Sequence, residues 1–378
     1  MYDVIVIGTG GIGSAALYHL ATCGMRVLGL DRFPAGHDRG SSHGESRMVR
    51  KSYFEHPDYV PLACQSWDMW QQLEQRAGRS LLKPSGVVYY GRPDGVVMSG
   101  VRDSAAAHGL PVEDMSPADA ADRFPQFQCP PATTALFEAD AGILLVEDCV
   151  ATHIQLAVEA GAEFVDDVTV RHIAAGPTVT VTTDRGTCQA GHVIVTAGAW
   201  SAGLLADLQL PLRVIRKHLH WFHCDNPRLH LADGCPAFFV EHQGGYFYGL
   251  PQMGPSGLKA GEHSGGAPVS DPLTDPRAPE SADVERVENF VSDFLVTDSC
   301  THQQQKTCFY TMTPDENFVL DHHPEHANVV YAAGFSGHGF KFAPVMGQRL
   351  AEMVTAPSDT SRLAELTGFL TRDRFRTA

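Results

Sequence analysis

The sequence predicts a mixed α/β fold in which a Rossmann-type domain is interleaved with an antiparallel-sheet domain. Residues 2–31 read as an apolar strand, a glycine loop, an apolar helix and a second strand. Two more apolar segments, 192–198 and 328–334, have the form of a buried parallel strand that runs into glycine. Because these three segments lie far apart, we expect one domain to be assembled from separated pieces. Residues 211–320 contain alternating strand patterns, which favour an antiparallel sheet.

The glycine loop near the N-terminus has the pattern that cradles a pyrophosphate. Gly8 allows the tight turn, Gly10 lets the backbone approach a phosphate, and Gly13 lets the helix pack against the strand. Asp31 ends the following strand, where a carboxylate can accept hydrogen bonds from an adenosine ribose. The unit predicts an adenine dinucleotide, either NAD or FAD. A strand, turn and helix without a ligand is the alternative.

The domain boundaries are placed where the pattern along the chain changes. Residues 1–82, 142–210 and 321–378 are predicted to form the dinucleotide-binding domain. Residues 83–141 and 211–320 are predicted to form the substrate domain. A nicotinamide enzyme usually completes its cofactor domain before it starts another, so the return of the chain to this domain favours a flavin.

Local signals place the other elements. Residues 34–47 are a loop rich in glycine and serine, and Ser116 before Pro117 marks the start of a helix. Residues 147–161 are predicted to be a helix and residues 184–186 a hairpin turn. Residues 264–280 predict a loop that could act as a lid. Strands of the substrate domain are expected at residues 213–223, 237–240 and 246–250.

Composition argues against several classes of partner and location. The chain has 28 basic and 44 acidic residues and a net charge of −16, which repels nucleic-acid backbones and anionic lipid. It has no apolar stretch of membrane-spanning length, and its first strand begins at residue 2, so no signal peptide is expected. The 9 cysteines are scattered without a Cys-x-x-Cys pair, which indicates reduced thiols and a cytoplasmic protein.

Four further blocks of sequence are more specific than the glycine loop. They are residues 42–50 (SHGESRMVR), 257–263 (GLKAGEH), 306–311 (KTCFYT) and 334–342 (GFSGHGFKF). In this order they resemble blocks of the monomeric sarcosine oxidase and N-methyltryptophan oxidase family, and the resemblance covers essentially the whole chain. It implies a flavin domain of the D-amino-acid-oxidase type, oxidation of secondary amino acids, and FAD attached covalently to a cysteine.

The resemblance implies roles for five residues. Cys308 matches the cysteine that carries the flavin 8α-methyl group, which requires a nucleophilic thiolate. Arg50 and Lys341 match the pair that binds the substrate carboxylate. Lys259 matches the lysine that activates oxygen, and Arg47 matches an arginine that helps to set the flavin electrostatics. Without the resemblance, the cysteine would be expected in the core and the cations in solvent.

The same resemblance assigns further residues to the pocket. Tyr248 and His263 match residues close to the substrate amine, with Tyr310 nearby. Hydride transfer proceeds best from a neutral amine, so His263 is expected to bind the substrate and to tune its proton state. Further contacts with FAD are expected from Ser41, Ser42, His43, Arg47, Val168, Gly334, Gly337, His338, Gly339 and Phe340.

The 19 histidines raise the question of a metal site. His218 and His220 share one face of a predicted strand, whereas His223 falls on the other face. No cysteine or carboxylate has the spacing expected of a further ligand. A second cluster lies at residues 322–326. We expect no metal, and surface or core histidines instead.

One departure from the family pattern concerns the substrate. After Arg50 the chain reads Lys51-Ser-Tyr53-Phe54, where sarcosine and N-methyltryptophan oxidases tend to read His-Ala-Tyr-Gly. The Arg-Lys-x-Tyr form is closer to the pipecolate oxidase relatives, which extends the expected substrates to cyclic or bulkier secondary amines. The loop at 264–280 has no convincing match, so the entrance of the pocket is not predicted.

The expected function is that of a cytoplasmic, monomeric FAD-dependent oxidase of secondary α-amino acids, with N-methyl amino acids as substrates. The products would be an imine, which hydrolyses, and hydrogen peroxide from molecular oxygen. Three alternatives stay open. They are an oxidase of a cyclic imino acid such as pipecolate or proline, an amine dehydrogenase with another electron acceptor, and a dinucleotide-binding regulator without turnover.

Overall fold

The computed structural model of the chain describes residues 1–278, 280–356 and 362–375. Its helices are α1 (Gly11–Thr22), α2 (Tyr59–Ala77), α3 (Val96–His108), α4 (Pro117–Arg123), α5 (Val146–Glu159), α6 (Ser201–Leu204), α7 (Ser281–Phe294), α8 (Ala343–Thr355) and α9 (Arg362–Thr367). Its strands are β1 (Tyr2–Ile7), β2 (Val27–Leu30), β3 (Ser46–Val49), β4 (Leu82–Pro84), β5 (Val87–Gly91), β6 (Val112–Met115), β7 (Thr134–Glu138), β8 (Gly142–Leu145), β9 (Glu163–Val165), β10 (Val170–Ala174), β11 (Val179–Thr183), β12 (Gly186–Val195), β13 (Arg213–Cys224), β14 (Ala237–His242), β15 (Gly245–Leu250), β16 (Leu258–Glu262), β17 (Ala267–Pro268), β18 (Cys300–Met312), β19 (Val319–His322) and β20 (Val329–Ala333). None of the helices in this part of the chain combines the length and apolar character that a membrane span requires.

The first sheet brings together strands from distant parts of the chain. Strands β9, β2, β1, β12 and β20 lie parallel in this order. Strand β19 adds to β20, and β10 and β11 extend the sheet from β12, all in antiparallel fashion. The carboxyl ends of β1, β12 and β20 are followed by Gly8, Gly198 and Gly334, each with positive φ. The three strand-to-glycine segments therefore meet side by side.

Helix α1 packs unusually close to the turn that follows β1. A Cβ atom on Gly13 would lie 1.9 Å from the carbonyl oxygen of Gly8 and 2.5 Å from the hydroxyl oxygen of Thr196. Helix α8 also lies close, because a Cβ atom on Gly347 would come within 2.6 Å of the Ala15 Cβ. These glycines hold the N-terminus of α1 directly over the turn, where its free amides can face a phosphate.

The second sheet runs in the order β17, β13, β16, β15, β14, β5, β7 and β6, with β18 paired along the whole of β13. Its strands are antiparallel except β14 and β5, which pair in parallel. Helix α7 supplies Phe290 and Phe294, whose rings pack against Phe238 and Phe247 of this sheet. Residues 87–138 and 213–312 thus build one sheet although strands β9–β12 of the first sheet lie between them in the sequence.

A small third sheet of β3, β8 and β4 lies beside the two large ones. Strand β8 leads directly into α5, which packs on α1. On the other side, the carbonyl oxygen of Ser46 in β3 accepts a hydrogen bond from Lys259 of β16 in the second sheet. The predicted domain boundaries near residues 82 and 142 fall on this sheet. They stay a prediction.

Several elements lie where local signals in the sequence predicted them. Ser116 forms a capping box at the start of α4. Residues 184 and 185 form the two-residue turn between β11 and β12. The helix expected at 147–161 is α5. The segment 264–280 contains the short strand β17, and its residue 279 lies outside the described residues.

One expectation about the cysteines is wrong. Cys224 and Cys300 face each other across β13 and β18 and form a disulfide, so this pair is not reduced. The physical reason is strand register, which the spacing of cysteines in the sequence does not reveal. The other cysteines, Cys308 among them, are free thiols in the described part of the chain.

Candidate active site

One cavity lies between the carboxyl edge of the first sheet and the second sheet. Its wall includes most of the residues singled out from the sequence: Gly8, Gly10, Asp31, Ser41, Ser42, Arg47, Arg50, Val168, Tyr248, His263, Tyr310, Gly334, Gly337, His338, Gly339, Phe340 and Lys341. Gly13 is enclosed between α1 and the β1 turn. The side chains of His43, Lys259 and Cys308 are buried beside residues of the wall. The fold therefore brings the predicted site together.

Asp31 ties the glycine loop to the end of β2. Its Oδ2 atom accepts hydrogen bonds from the backbone amide and the hydroxyl of Thr9, at 2.7 and 3.1 Å. Its Oδ1 atom accepts one from the Phe33 amide at 3.1 Å. Because a carboxylate oxygen has two lone pairs, Oδ1 keeps acceptor capacity. Contact between Asp31 and a ribose stays a prediction.

Sequence reasoning missed four side chains at this end of the cavity. The guanidinium of Arg32 lies 5.8 Å from the ring centre of Trp200, and Phe33 lies between Trp200 and His37 with ring centres 5.8 and 4.9 Å away. Trp200 Nε1 and Arg32 Nη1 are buried and have no hydrogen-bond partner among the described residues. Buried donors need acceptors. For Arg32 and Phe33, the sequence did hold an indication of a place in the cavity, because both directly follow Asp31.

Cys308 lies beside a guanidinium. The Nη2 atom of Arg47 is 3.6 Å from Cys308 Sγ and donates to the carbonyl oxygen of Ser41 at 2.8 Å. The hydroxyl of Ser41 donates to the carbonyl oxygen of Phe309 at 2.6 Å. These contacts fix the loop at 34–47 against β18, so that Arg47 can stabilise negative charge near the sulfur.

Lys259 is buried with backbone carbonyl groups as its partners. Its Nζ atom donates to the carbonyl oxygens of Gly44 and Ser46, at 2.6 and 2.8 Å. Burial and the charge of Arg47 hold the pKa of Lys259 well below its usual value. Lys259 also lines a second cavity together with Trp221. Period-two alternation left open whether this lysine points inward, and the structure places it inside.

Arg50 is already paired with a carboxylate. Its Nη2 atom donates to both carboxylate oxygens of Glu55, at 2.7 and 2.8 Å, and its Nη1 atom donates to the Ser52 carbonyl oxygen at 2.6 Å. Burial opposes ionisation of Glu55, but the charges of Arg50 and its neighbours win and lower the pKa to about 2. The charge of Arg50 is therefore neutralised. Sequence reasoning missed Glu55, because pairing across a loop has no periodic signal.

Lys341 differs from Arg50 because no carboxylate of the described residues pairs with it. Its Nζ atom donates to the His338 carbonyl oxygen at 2.8 Å and to the Tyr53 hydroxyl at 3.3 Å. Burial and the charge of Arg50 lower the pKa of Lys341 to about 7. An anion in the cavity would raise this pKa again, so Lys341 is suited to bind a carboxylate.

Uncharged groups surround the remaining part of this end of the cavity. Burial lowers the pKa of His263 to about 3, so its imidazole is neutral. Its Nδ1 atom lies 3.4 Å from the Tyr310 hydroxyl, and its ring centre lies 5.9 Å from that of Phe239. Burial also raises the pKa values of Tyr248 and Tyr310. This end of the cavity thus places Lys341, which has no carboxylate partner among the described residues, beside a neutral, largely aromatic wall.

A family model described as FAD dependent oxidoreductase matches residues 3–353 of the chain. The chain belongs to this family. Monomeric sarcosine oxidase from Streptomyces avermitilis is 39% identical over 361 residues, which are 93% of this chain and 93% of that protein. Monomeric sarcosine oxidase from Bacillus sp. (strain NS-129) is 36% identical, over 94% and 93% of the two chains. N-methyl-L-tryptophan oxidase from Salmonella dublin is 35% identical, over 93% and 94%.

Solved structures give the same fold for this FAD-dependent oxidoreductase. NikD, an unusual amino acid oxidase essential for nikkomycin biosynthesis, superimposes with a TM-score of 0.84 and 25% identity, over 97% of this chain and 96% of NikD. L-proline dehydrogenase from P. horikoshii has a TM-score of 0.82 at 19% identity, over 100% and 98% of the two chains. The predicted fold class, a Rossmann-type domain interleaved with a second sheet, is confirmed.

The residues of the cavity fit FAD. Both ring nitrogens of His43 are buried without a hydrogen-bond partner among the described residues, as are Trp200 Nε1 and Arg32 Nη1. Burial and the charge of Arg47 lower the pKa of His43 to about 2, so its imidazole is neutral and can both donate and accept. At the start of α1, the amide of Gly11 donates to the Ser42 hydroxyl at 3.0 Å, and the helix N-terminus beside the glycine loop favours a pyrophosphate. These groups would gain partners from adenine, pyrophosphate and flavin.

The pKa of Lys341 predicts a pH dependence for the binding of carboxylates. The ammonium form binds the anion and predominates below about pH 7, so the dissociation constant of a small carboxylate without an amine, such as acetate, should rise above that pH. Each further pH unit should weaken binding about tenfold. The measurement is a titration of the protein with acetate at pH values from 6 to 9, about one unit apart, in which the change of the flavin spectrum gives the dissociation constant.

Lys341→Met serves as the control for this dependence. It should bind the carboxylate more weakly and with a dissociation constant that does not change over the same range. A wild-type constant that is flat across pH 7 would contradict the role of Lys341.

Proposed function

We propose that this FAD-dependent oxidoreductase oxidises secondary α-amino acids, N-methyl amino acids in particular, and reduces molecular oxygen to hydrogen peroxide. The observation that carries the proposal is the end of the cavity where Lys341, a cation without a carboxylate partner, adjoins the neutral His263. This arrangement supports a ligand with a carboxylate at one end and an uncharged amine at the other. The names of the relatives, monomeric sarcosine oxidase and N-methyl-L-tryptophan oxidase, support the same class of substrate.

The side chains of the pocket would orient the substrate and set its proton state. Lys341 would bind the carboxylate, with Arg50 joining when its contact with Glu55 rearranges. The neutral side chains of His263 and Tyr310, which line the cavity, disfavour an ammonium ion, so the amine would lose its proton to solvent on binding. Bound in this cavity, FAD supplies the hydride acceptor and the route of electrons to oxygen.

Lys259 is proposed to promote the reaction with oxygen. The carbonyl oxygens of Gly44 and Ser46 hold its Nζ atom in place, and Arg47 adds a second positive charge nearby. A fixed cation in a buried site stabilises negative charge as it develops on dioxygen. This role favours an oxidase over a dehydrogenase with another acceptor.

Cys308 is proposed to carry the flavin through a thioether. Its sulfur is buried, lies 3.6 Å from Arg47, and belongs to the strand that faces the loop at 34–47. Arg47 would stabilise the thiolate that forms this bond. The free state of the Cys308 thiol supports the assignment, since a disulfide would exclude it.

A cyclic imino acid such as pipecolate or proline is the second candidate substrate. The rings of Phe54 and Phe239 lie 5.3 Å apart, and Phe54 packs under the Arg50 guanidinium at 4.7 Å. Of the two, Phe239 lines the cavity beside the proposed carboxylate site, and its ring favours contact with the methylene groups of a cyclic substrate. This contact would favour a cyclic imino acid over a substrate that carries only an N-methyl group.

A monomeric state and a cytoplasmic location belong to the same proposal. The name monomeric sarcosine oxidase supports the first, because two relatives of this name match nearly the whole chain. The seven cysteines that are free thiols support a reducing compartment such as the cytoplasm, whereas the disulfide between Cys224 and Cys300 is the observation against it. Size-exclusion chromatography of the purified protein tests the monomeric state. Thiol titration tests how many of its cysteines are free.

A substrate panel tests the proposed function. Purified protein is mixed with sarcosine, N-methyl-L-tryptophan, L-proline and L-pipecolate, and flavin bleaching, oxygen consumption and peroxide are followed. We expect the N-methyl amino acids to bleach the flavin and to give one peroxide per oxygen consumed. Bleaching without oxygen consumption would indicate a dehydrogenase, and no bleaching by any amine would indicate a regulator.

Replacement of Cys308 tests covalent attachment. Wild-type protein precipitated with acid should keep its yellow colour in the pellet, whereas Cys308→Ser should release FAD to the supernatant, because serine forms no thioether. Cys235→Ser, which alters another buried free thiol, is the matched control and should retain the flavin. Flavin that stays covalently bound in Cys308→Ser would refute the assignment.

Replacement of Lys259 tests the reaction with oxygen. Lys259→Met should slow reoxidation of the flavin by about a hundredfold or more, because it removes a fixed charge from the site, while reduction by substrate changes much less. Stopped-flow absorbance measures both half-reactions. Lys217→Met is the control, since Lys217 is also a buried lysine but donates to Ser264. Equal slowing of both half-reactions in Lys259→Met would contradict its role.

A further inference from the structure

Outside the cavity, two histidines and an aspartate converge on the opposite face of β13. His218 Nδ1 lies 3.1 Å from Asp283 Oδ2, and His220 Nε2 lies 3.0 Å from the same oxygen. Both histidines are buried, with 4% and 0% of their surface exposed. The three candidate donor atoms all lie within 4.8 Å of one another.

The fold explains this convergence. His218 and His220 share a face of β13, as predicted, and His223 is exposed on the strand beyond them. The sequence has no carboxylate at the spacing expected of a further ligand, and the fold supplies one from a distant element. Asp283 comes from the first turn of α7, which packs across β13, and its position there depends on tertiary structure rather than on spacing.

We propose that His218, His220 and Asp283 form a binding site for a divalent transition metal of the Zn²⁺ class. Imidazole nitrogen and carboxylate oxygen are ligands that Zn²⁺ accepts, and a fourth position would be left for water. Donors about 2.0–2.1 Å from a tetrahedral ion lie roughly 3.3 Å apart. The observed separations of 3.1 and 3.0 Å from Asp283 Oδ2 are close to this value, and the two histidine nitrogens lie within 4.8 Å of each other, so they would move together when the ion binds.

His220 and Asp283 have partners of the kind found in an outer shell, whereas Nε2 of His218 is buried without a hydrogen-bond partner among the described residues. His302 Nε2 lies 3.2 Å from His220 Nδ1, the nitrogen that would point away from the metal. The second oxygen of Asp283, Oδ1, contacts Arg286 at 3.3 Å, which leaves Oδ2 for the ion. Ligating histidines and carboxylates characteristically have such partners. Arg286 is also held by Glu262 at 2.9 Å and is half exposed, so its charge is partly offset and screened.

A bound ion would replace the hydrogen bonds that the two histidines make with Asp283. Without an ion, His218 and His220 donate their Nδ1 and Nε2 protons to Asp283. With the ion, each proton would move to the other ring nitrogen, which for His220 faces His302 as acceptor. The ion replaces two hydrogen bonds to a single carboxylate oxygen with three coordinate bonds.

The position of the site indicates a structural role. In the pairing of β13 with β18, Lys217 lies opposite Cys308 and His218 opposite Thr307. The metal would therefore join α7 to the back of the strand whose front packs against Cys308. It would stabilise the wall of the cavity without contact with substrate or flavin.

Metal titration of the untagged holoprotein tests the site. After dialysis against a chelator, isothermal titration with Zn²⁺ should give one equivalent, and Co²⁺ should give ligand-field absorption at wavelengths longer than the flavin bands. Asp283→Asn should weaken Zn²⁺ binding by about tenfold or more, since it removes an anionic ligand. His323→Gln is the matched control, because His323 contacts a single carboxylate, Asp207, at 2.7 Å.

Two results would overturn the proposal. One is wild-type protein that binds neither Zn²⁺ nor Co²⁺, which needs no variant to interpret. The other is Asp283→Asn that binds Zn²⁺ as tightly as wild type while its flavin spectrum shows a folded protein. Neither readout depends on turnover, so the outcome is independent of the proposed oxidase activity.

Discussion

Three cations in or beside the cavity, Arg47, Lys259 and Lys341, depend mainly on backbone carbonyl oxygens for hydrogen bonds, and no carboxylate of the described residues pairs with them. Carbonyl dipoles offset only part of the free energy that a buried charge loses when it leaves water. The site is therefore built for anionic ligands. Pyrophosphate, a negatively charged flavin and a substrate carboxylate are the groups that such a cavity stabilises, whereas a preformed ion pair such as Arg50 with Glu55 gives no such preference.

The interleaved chain is what places these cations around one volume. Arg47 is in the small sheet, Lys259 is in the middle of the second sheet, and Lys341 lies just before α8, which packs on the first sheet. The three cations therefore come from three separate parts of the chain. The loop at 34–47 is held by contacts with β18, so the site has few independently moving parts.

Local patterns in the sequence were sufficient for the glycine loop, the capped helix α4, the turn between β11 and β12, and the three strands that end in glycine. These features depend on neighbouring residues or on burial of a whole strand. Glu55, Trp200 and Asp283 were not predicted, because each reaches its partner through a loop or a helix whose course is set by tertiary packing. The disulfide was not predicted for the same reason, because it depends on the register of β13 and β18. Family resemblance supplied the roles that spacing could not.

The parallel pairing of β14 with β5, and of β20 with β12, has a consequence for how the chain folds during synthesis. The second sheet cannot join its halves until the residues of β14 have been made, and the first sheet is incomplete until β20 at Val329–Ala333 has emerged. Pairings between such distant segments are slow to form and leave strand edges unpaired in the meantime. All strands of the second sheet, which ends with β18 at Cys300–Met312, are synthesised before β20, so the first sheet is the last to be completed and β12 waits for its partner β20 until then.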